Sequence, residues 1–487
     1  MRVSISFFKK TPCQKGRRAA ARKKFFSLEA YIERILLSVL LLLCFLASAQ
    51  GSESKKEFLS LTLEKALQIA MERNKDILRA KEYRNQVEGR YVEERAAALP
   101  QLAIQGGMSR DHDESQRAVY AAFPISGFAK TIPVEREARS AGVGVNQLVY
   151  SFGQVEAAIR AAKIGIKTAD DHLLIQQQSA LKEVSSAFYA VLLSKELNAL
   201  ALQNLDQKKR HLDEAQKKYQ AGTATDYDIL AANVEVENAN PDVIRTENMI
   251  RITRENLRFL IGLGDQEVDA QGALLTPILP YPDFQESLVQ AWKSRPELTD
   301  LKHRIGISEE LLNLAKAGNM PVVNFKAGYG WQSQDYMPGQ ADGPAWTIGM
   351  FVTFPFFDGL RTQGKIIQAK SNLSTLKIEE TKLLDGIILQ TRESVSKVKE
   401  AGEIVKGLSG TVDQAQRLLS MAEKGYEFGV KTKLDVDDAQ TNLVRAQGNL
   451  AKARHDYLVS LVQLEWVKGT IQPPVPSLPL PKSPKDK

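Results

Sequence analysis

Residues 219–228 read Tyr-Gln-Ala-Gly-Thr-Ala-Thr-Asp-Tyr-Asp, and residues 426–435 read Tyr-Glu-Phe-Gly-Val-Lys-Thr-Lys-Leu-Asp. Both fit one pattern, Tyr-x-x-Gly-x-x-Thr-x-x-Asp, at an offset of 207. This is the chemistry of a tight turn between two helices. Gly222 and Gly429 can take the left-handed conformation that ends a helix. Thr225 and Thr432 are N-cap residues, and Asp228 and Asp435 complete a capping box with Asp in place of Glu. Both carboxylates also favour the positive end of the next helix's dipole. The pattern predicts two helical hairpins with these tips.

The repeat extends outward from the tips. At the same offset Lys163 meets Lys370, Leu257 meets Leu464 and Gly262 meets Gly469. Further upstream the offset is 221: Leu67, Ala70, Ile77 and Pro100 fall on Leu288, Ala291, Leu298 and Pro321. The difference of 14 places a longer strand connection in the first copy, between Arg110 and Val145. Two copies of one unit are expected, at 50–280 and 281–471. Each starts with a short helix, near 63–73 and 284–294. A second helix follows and stops before Pro100 or Pro321, where the ring removes a backbone donor.

After each proline the period changes to two. Val323, Phe325, Ala327, Tyr329 and Trp331 alternate with polar or small residues, and so do Trp346, Ile348, Met350, Val352 and Phe354. The first copy is weaker, with Leu102, Ile104 and Met108, then Val143 and Val145. Runs of about ten residues, aromatic on one face and Gly-rich on the other, fit lipid-facing barrel strands. A sandwich hairpin with one buried face is the alternative. Gln154 to about Lys218, and Arg361 to about Gly425, then contain no proline. A helix of that length spans roughly 100 Å, the scale of a periplasm and more than an ordinary domain uses. The returning segments carry heptads. Leu443, Leu450, Tyr457 and Leu464 match Val236, Val243, Ile250 and Leu257, with Ala439, Ala446 and Ala453 matching Ala232, Ala239 and Thr246. That period supercoils a helix on its neighbour.

Residues 1–49 read as an export signal: a basic stretch, an apolar run from Ile35 to Leu46, then Ala47-Ser48-Ala49. They hold ten Lys/Arg and two Asp/Glu, so the +7 of the whole chain becomes about −1 beyond them. The basic balance belongs to the signal and is no argument for nucleic acid. Both cysteines, Cys13 and Cys44, lie there too, leaving no thiol for a disulfide or a metal site. The five histidines (His112, His172, His211, His303 and His455) show no metal-ligand spacing, and there is no nucleophile elbow or phosphate loop. No enzyme, metal or cofactor is expected. Residues 472–487, with six prolines, are expected to be a disordered tail.

The duplicated turn, the Leu-Pro before each strand pair, and Pro355-Phe356-Phe357-Asp358-Gly359 opening a long helix resemble the TolC family of outer-membrane efflux proteins. The resemblance covers residues from about 60 to 470. It implies an α+β membrane protein, with four strands per chain in a trimeric twelve-stranded β-barrel continued by a helical periplasmic tunnel. It implies a passive channel in a tripartite efflux or type I secretion system, partnered by a periplasmic adaptor, an inner-membrane pump and outer-membrane lipid. At the family's gate positions stand Asp228 opposite Tyr426, and Lys431 where the best-known member has arginine, which loses the bidentate fork. Asp435 and Asp438 match its acidic pore ring. Asp228 and Asp435 are also capping residues, whereas Asp438 has no capping role. The competing function is a periplasmic coiled-coil adaptor, which would have one hairpin rather than two.

Overall fold

The computed structural model describes residues 59–112, 135–275, 280–336 and 339–472. The expected export signal, the tail from Pro473 and the connection after His112 lie outside the described residues. The first half runs β1 (Leu59–Leu61), α1 (Leu63–Arg73), α2 (Lys75–Ala96), β2 (Gln101–His112), β3 (Glu135–Tyr150), α3 (Gln154–Gln220) and α4 (Asp226–Ile261). After β4 (Val268–Ala270) the order returns as α5 (Phe284–Ser294), α6 (Pro296–Lys316), β5 (Val322–Tyr336), β6 (Gly339–Thr353), α7 (Arg361–Glu427) and α8 (Lys433–Val467). The bounds of α1 and α5 differ by 221, and those of α3 and α7 by 207.

Local chemistry accounts for the boundaries. Asp283 caps α5 by accepting from the Glu286 N–H at 2.9 Å. Asn74 caps α2, its side-chain oxygen accepting from the N–H groups of Asp76 and Ile77 at 2.9 and 3.1 Å. In the second copy Pro296 opens α6, where its missing N–H costs nothing. Both second helices stop short of Pro100 and Pro321.

The four long strands form one antiparallel sheet in the order β2-β3-β5-β6. They run 12, 16, 15 and 15 residues, longer than the ten expected. The apolar alternation marks only part of each strand. Pairing continues through polar residues, as where Arg110 stands opposite Glu137 and Ser333 opposite Arg139. Ile104, Val143, Tyr329 and Trp346 form one row across the sheet, and Leu102, Val145, Ala327 and Ile348 the next. Ile104 is 86% exposed and Trp346 73%, and Leu102, Tyr329, Ile348, Met350 and Val352 are exposed with them. Leaving seven such side chains in water would forgo on the order of 10–20 kcal/mol, so this face requires an apolar medium. On the opposite face Gly142 pairs with Gly330. A Cβ added at Gly330 would lie 2.5 Å from the Ala141 carbonyl oxygen, so the backbones meet where a side chain cannot fit.

Below the sheet the helices pack lengthwise. Both α3 and α7 have 67 residues, about 100 Å of helix. Every large heptad residue of α8 is buried: Leu443, Leu450, Tyr457 and Leu464. On α4, Val236, Val243 and Leu257 are buried and Ile250 is half-buried. Polar rungs add register between α3 and α4, Thr246 donating to Asn198 at 2.8 Å and Ser194 meeting Thr253 at 3.0 Å. Pro241 lies inside α4 without ending it. The largest core sits at the waist. There β1 and β4 pair in parallel, and Leu61 and Val268 pack with Val184, Val191, Leu257 and Ile261. No described helix is long and apolar enough to cross a membrane.

The paired hairpin tips

The two tips are built alike. Gly222 and Gly429 have φ of 74° and 71°, and their N–H groups donate to the carbonyls of Tyr219 and Tyr426 at 2.9 and 3.0 Å. The following residues, Thr223 and Val430, close the six-residue turn onto the Lys218 and Gly425 carbonyls. Both capping boxes form. The Asp228 carboxylate accepts from the Thr225 N–H at 2.7 Å, and that of Asp435 from the Thr432 N–H at 2.8 Å. These backbone donors, with the threonine hydroxyls, hold both carboxyls below the ordinary carboxylate value.

Lys431 reaches Asp435 within its own tip, Nζ to Oδ1 at 3.4 Å, and this adds to the lowering of the Asp435 pKa. Gly425 makes room for that lysine, since a Cβ there would lie 2.6 Å from Lys431 Cγ. Asp438 is exposed one turn further along α8. Asp228 and Tyr426 line the same cleft between the tips, of about 370 Å³. They are not bonded to each other in the single protomer. The Asp228 carboxylate is engaged by Thr225, and the Tyr426 hydroxyl accepts from Lys218 at 3.4 Å. The Lys218 ammonium also stands 5.2 Å from the centre of the Tyr426 ring.

A charged cluster deeper in that cleft joins the two hairpins, and the turn pattern did not point to it. Lys208 of α3 donates to Glu235 of α4 at 2.9 Å and lies 3.5 Å from Asp437 of α8. Lys433 of α8 donates to Asp437 at 3.0 Å and to Nδ1 of His211, on α3, at 2.9 Å. Glu214 pairs with Lys218 at 2.8 Å, which lowers the glutamate's pKa and raises the lysine's. Burial, followed by the nearby Lys433 charge, pushes His211 below its ordinary value. A signal for this cluster does exist in the sequence. At the offset of 207, Lys208, His211 and Asp437 stand where the other copy has Ala415, Leu418 and Leu230. An ionisable residue replaces an apolar one at each.

An aromatic, lipid-suited sheet prolonged by two 100 Å-scale helical hairpins defines an outer-membrane channel protein that extends into the periplasm. The chain belongs to the outer membrane efflux protein family, whose profile matches residues 66–263 and 288–470. The outer membrane protein TolC of Vibrio cholerae is 22% identical over 389 residues, covering 77% of this chain and 83% of that one. The TolC of Escherichia coli is 21% identical over 391 residues, covering 78% and 76%. The solved Campylobacter jejuni CmeC outer membrane channel superposes with a TM-score of 0.72 at 16% identity, covering 87% of this chain and 92% of that chain. Membership in this family makes the chain a channel of tripartite efflux or secretion systems. It is neither an enzyme nor the single-hairpin adaptor.

Proposed function

We propose that three copies of this chain close into one passive conduit, fed from the periplasmic side by an inner-membrane pump through an adaptor protein. One observation carries the reading. Among the described residues the sheet ends at β2 and β6 with neither edge paired, while its outer face is apolar and exposed. Four strands are too few to enclose a lumen, and an open edge is untenable in lipid. Three copies would join β6 of one to β2 of the next and give twelve strands. Residues 1–49 would direct export and be removed.

In this assembly the hairpin tips would draw together as the periplasmic end. Asp228, Tyr426 and Lys431 are proposed as its closing contacts, and Asp435 with Asp438 as an acidic ring with two carboxylates from each copy. Such a ring concentrates cations and repels anions. Nothing in the cleft favours one cargo, so the selectivity is assigned to the pump.

The test is direct. Outer-membrane fractions should hold a trimer that resists SDS until heated, and its insertion into planar bilayers should give a narrow conductance. Asp435→Ala with Asp438→Ala should weaken block by multivalent cations from the periplasmic side. A monomer in the soluble periplasmic fraction would overturn the assembly, and full block in the double variant would overturn the ring.

A further inference from the structure

We infer that the contact between His211 on α3 and Lys433 on α8 is a proton-operated latch: neutral His211 holds the two hairpin tips together, and protonated His211 releases them. The inference rests on the reading that these tips close the periplasmic end.

The geometry fixes the protonation state that the contact needs. Lys433 Nζ lies 2.9 Å from His211 Nδ1. An ammonium has only protons to give, so Nδ1 must accept, and that requires the neutral ring protonated at Nε2. Adding a proton makes both ring nitrogens donors. It also sets two cations at hydrogen-bonding distance in a half-buried cleft, where screening is weak.

The groups around the ring decide which form the closed state prefers. From α3 itself come Lys208 and Glu214, and from α8 Lys433 and Asp437. α4 contributes Glu235 and Asp228 to the same cleft, and α7 contributes Tyr426. The carboxylates would favour a charged ring, but each already has partners. Asp437 is shared by Lys433 and Lys208, Glu235 is held by Lys208, Glu214 by Lys218, and Asp228 by Thr225. Burial and the lysines prevail, and the closed-state pKa falls below the ordinary histidine value. The sign follows from linkage. Once the tips part and the ring is solvated, His211 returns to its ordinary value, so the open state takes up a proton first. The stability of closure is complete above that value and is lost as pH falls from it toward the closed-state pKa. The second copy has Leu418 at the matching position, which gives one latch per chain.

The experiment compares the full-length wild type, His211→Gln and His211→Lys, purified in detergent and inserted into planar bilayers, between about pH 7.5 and about pH 5. Gln keeps an acceptor for Lys433 and cannot be protonated, while Lys carries the charge at every pH tested. Wild-type conductance should rise by about threefold or more on acidification, His211→Gln should stay at its low value, and His211→Lys should already be raised at the higher pH. Amide exchange over residues 205–235 and 426–440, corrected for its intrinsic pH dependence, should follow the same order. Pores whose acid response survives in His211→Gln, or a wild type flat in both conductance and exchange, would overturn the latch alone. Absence of any pore from all three inserted proteins would overturn the channel reading. In that case exchange still judges the latch, because it reads the parting of the tips without requiring conduction.

Discussion

The two hairpin tips share one backbone and differ in the charges that it carries. Each has its glycine, its threonine cap and its aspartate at N3. The lysine nearest the glycine stands on opposite sides of the two turns. The first copy places Lys218 at the end of the descending helix and Ala224 before the cap. The second places Gly425 and Lys431 at those positions. Lys218 therefore leaves its own turn and reaches Tyr426 of the other hairpin, while Lys431 folds back over Gly425 onto Asp435. Duplication supplied a fold that turns twice. Substitutions at matched positions then let one tip grip the other, as two identical tips could not.

The largest effect should come from the pair Asp437 and Leu230, which occupy matched positions on α8 and α4. Asp437 stands between Lys433 and Lys208, and the Lys208 side chain is only 11% exposed. Asp437→Ala leaves the largely buried Lys208 ammonium with Glu235 alone, takes the carboxylate from Lys433, and should cost about 2 kcal/mol of tip stability, read by amide exchange of the α3 and α8 ends. Leu230 is exposed, and Leu230→Ala should stay within about 0.5 kcal/mol. Equal effects would break the comparison, since they would mean that the cluster gives no preference to the second tip.

The threonine caps should behave in the opposite way, as equals. Thr225→Ala and Thr432→Ala each remove the threonine hydroxyl of a capping box and should each cost about 1 kcal/mol in protection of the first turn of α4 or α8. On acidification both boxes should persist to below the ordinary carboxylate value. Their depressed pKa values mean that stability is full above that value and is lost only as pH falls through the folded one. The Asp435 box should survive to lower pH than the Asp228 box, because Lys431 adds to it. A cap difference between the copies as large as the expected Asp437 effect would show that the turns themselves are not equivalent.

Much of this was legible in the sequence because the signals were local and occurred twice. Positive φ at Gly222, the threonine caps, the stops before Pro100 and Pro321 and the heptads of α8 are all set by neighbours within a turn or two. The β1–β4 pair escaped notice because three residues carry no periodicity, and its partners lie about two hundred positions apart. Strand lengths were underestimated because polar stretches continue the ladder without alternating. The Lys208–His211–Lys433–Asp437 cluster was missed for a different reason. Each member looks like an ordinary solvated charge on its own helix, and only the packing of α3 against α8 brings them together.

The smallest effect should come from Tyr426→Phe, and it separates two accounts of the closing contact. In the protomer the phenol accepts one long hydrogen bond from Lys218, and the ring stays beneath that ammonium once the hydroxyl is gone. The change should therefore cost under about 0.5 kcal/mol and raise conductance only slightly. Tyr219→Phe, at the matched position, should do nothing measurable. Double-mutant cycles sharpen the point. If Lys218 is the working partner, Tyr426→Phe should be non-additive with Lys218→Met and additive with Asp228→Asn. The reverse pattern, with a large rise in conductance for Tyr426→Phe, would mean that the assembled tips exchange the Lys218 contact for one to Asp228. The capping box would then have to give up part of its hold on that carboxylate when the channel closes.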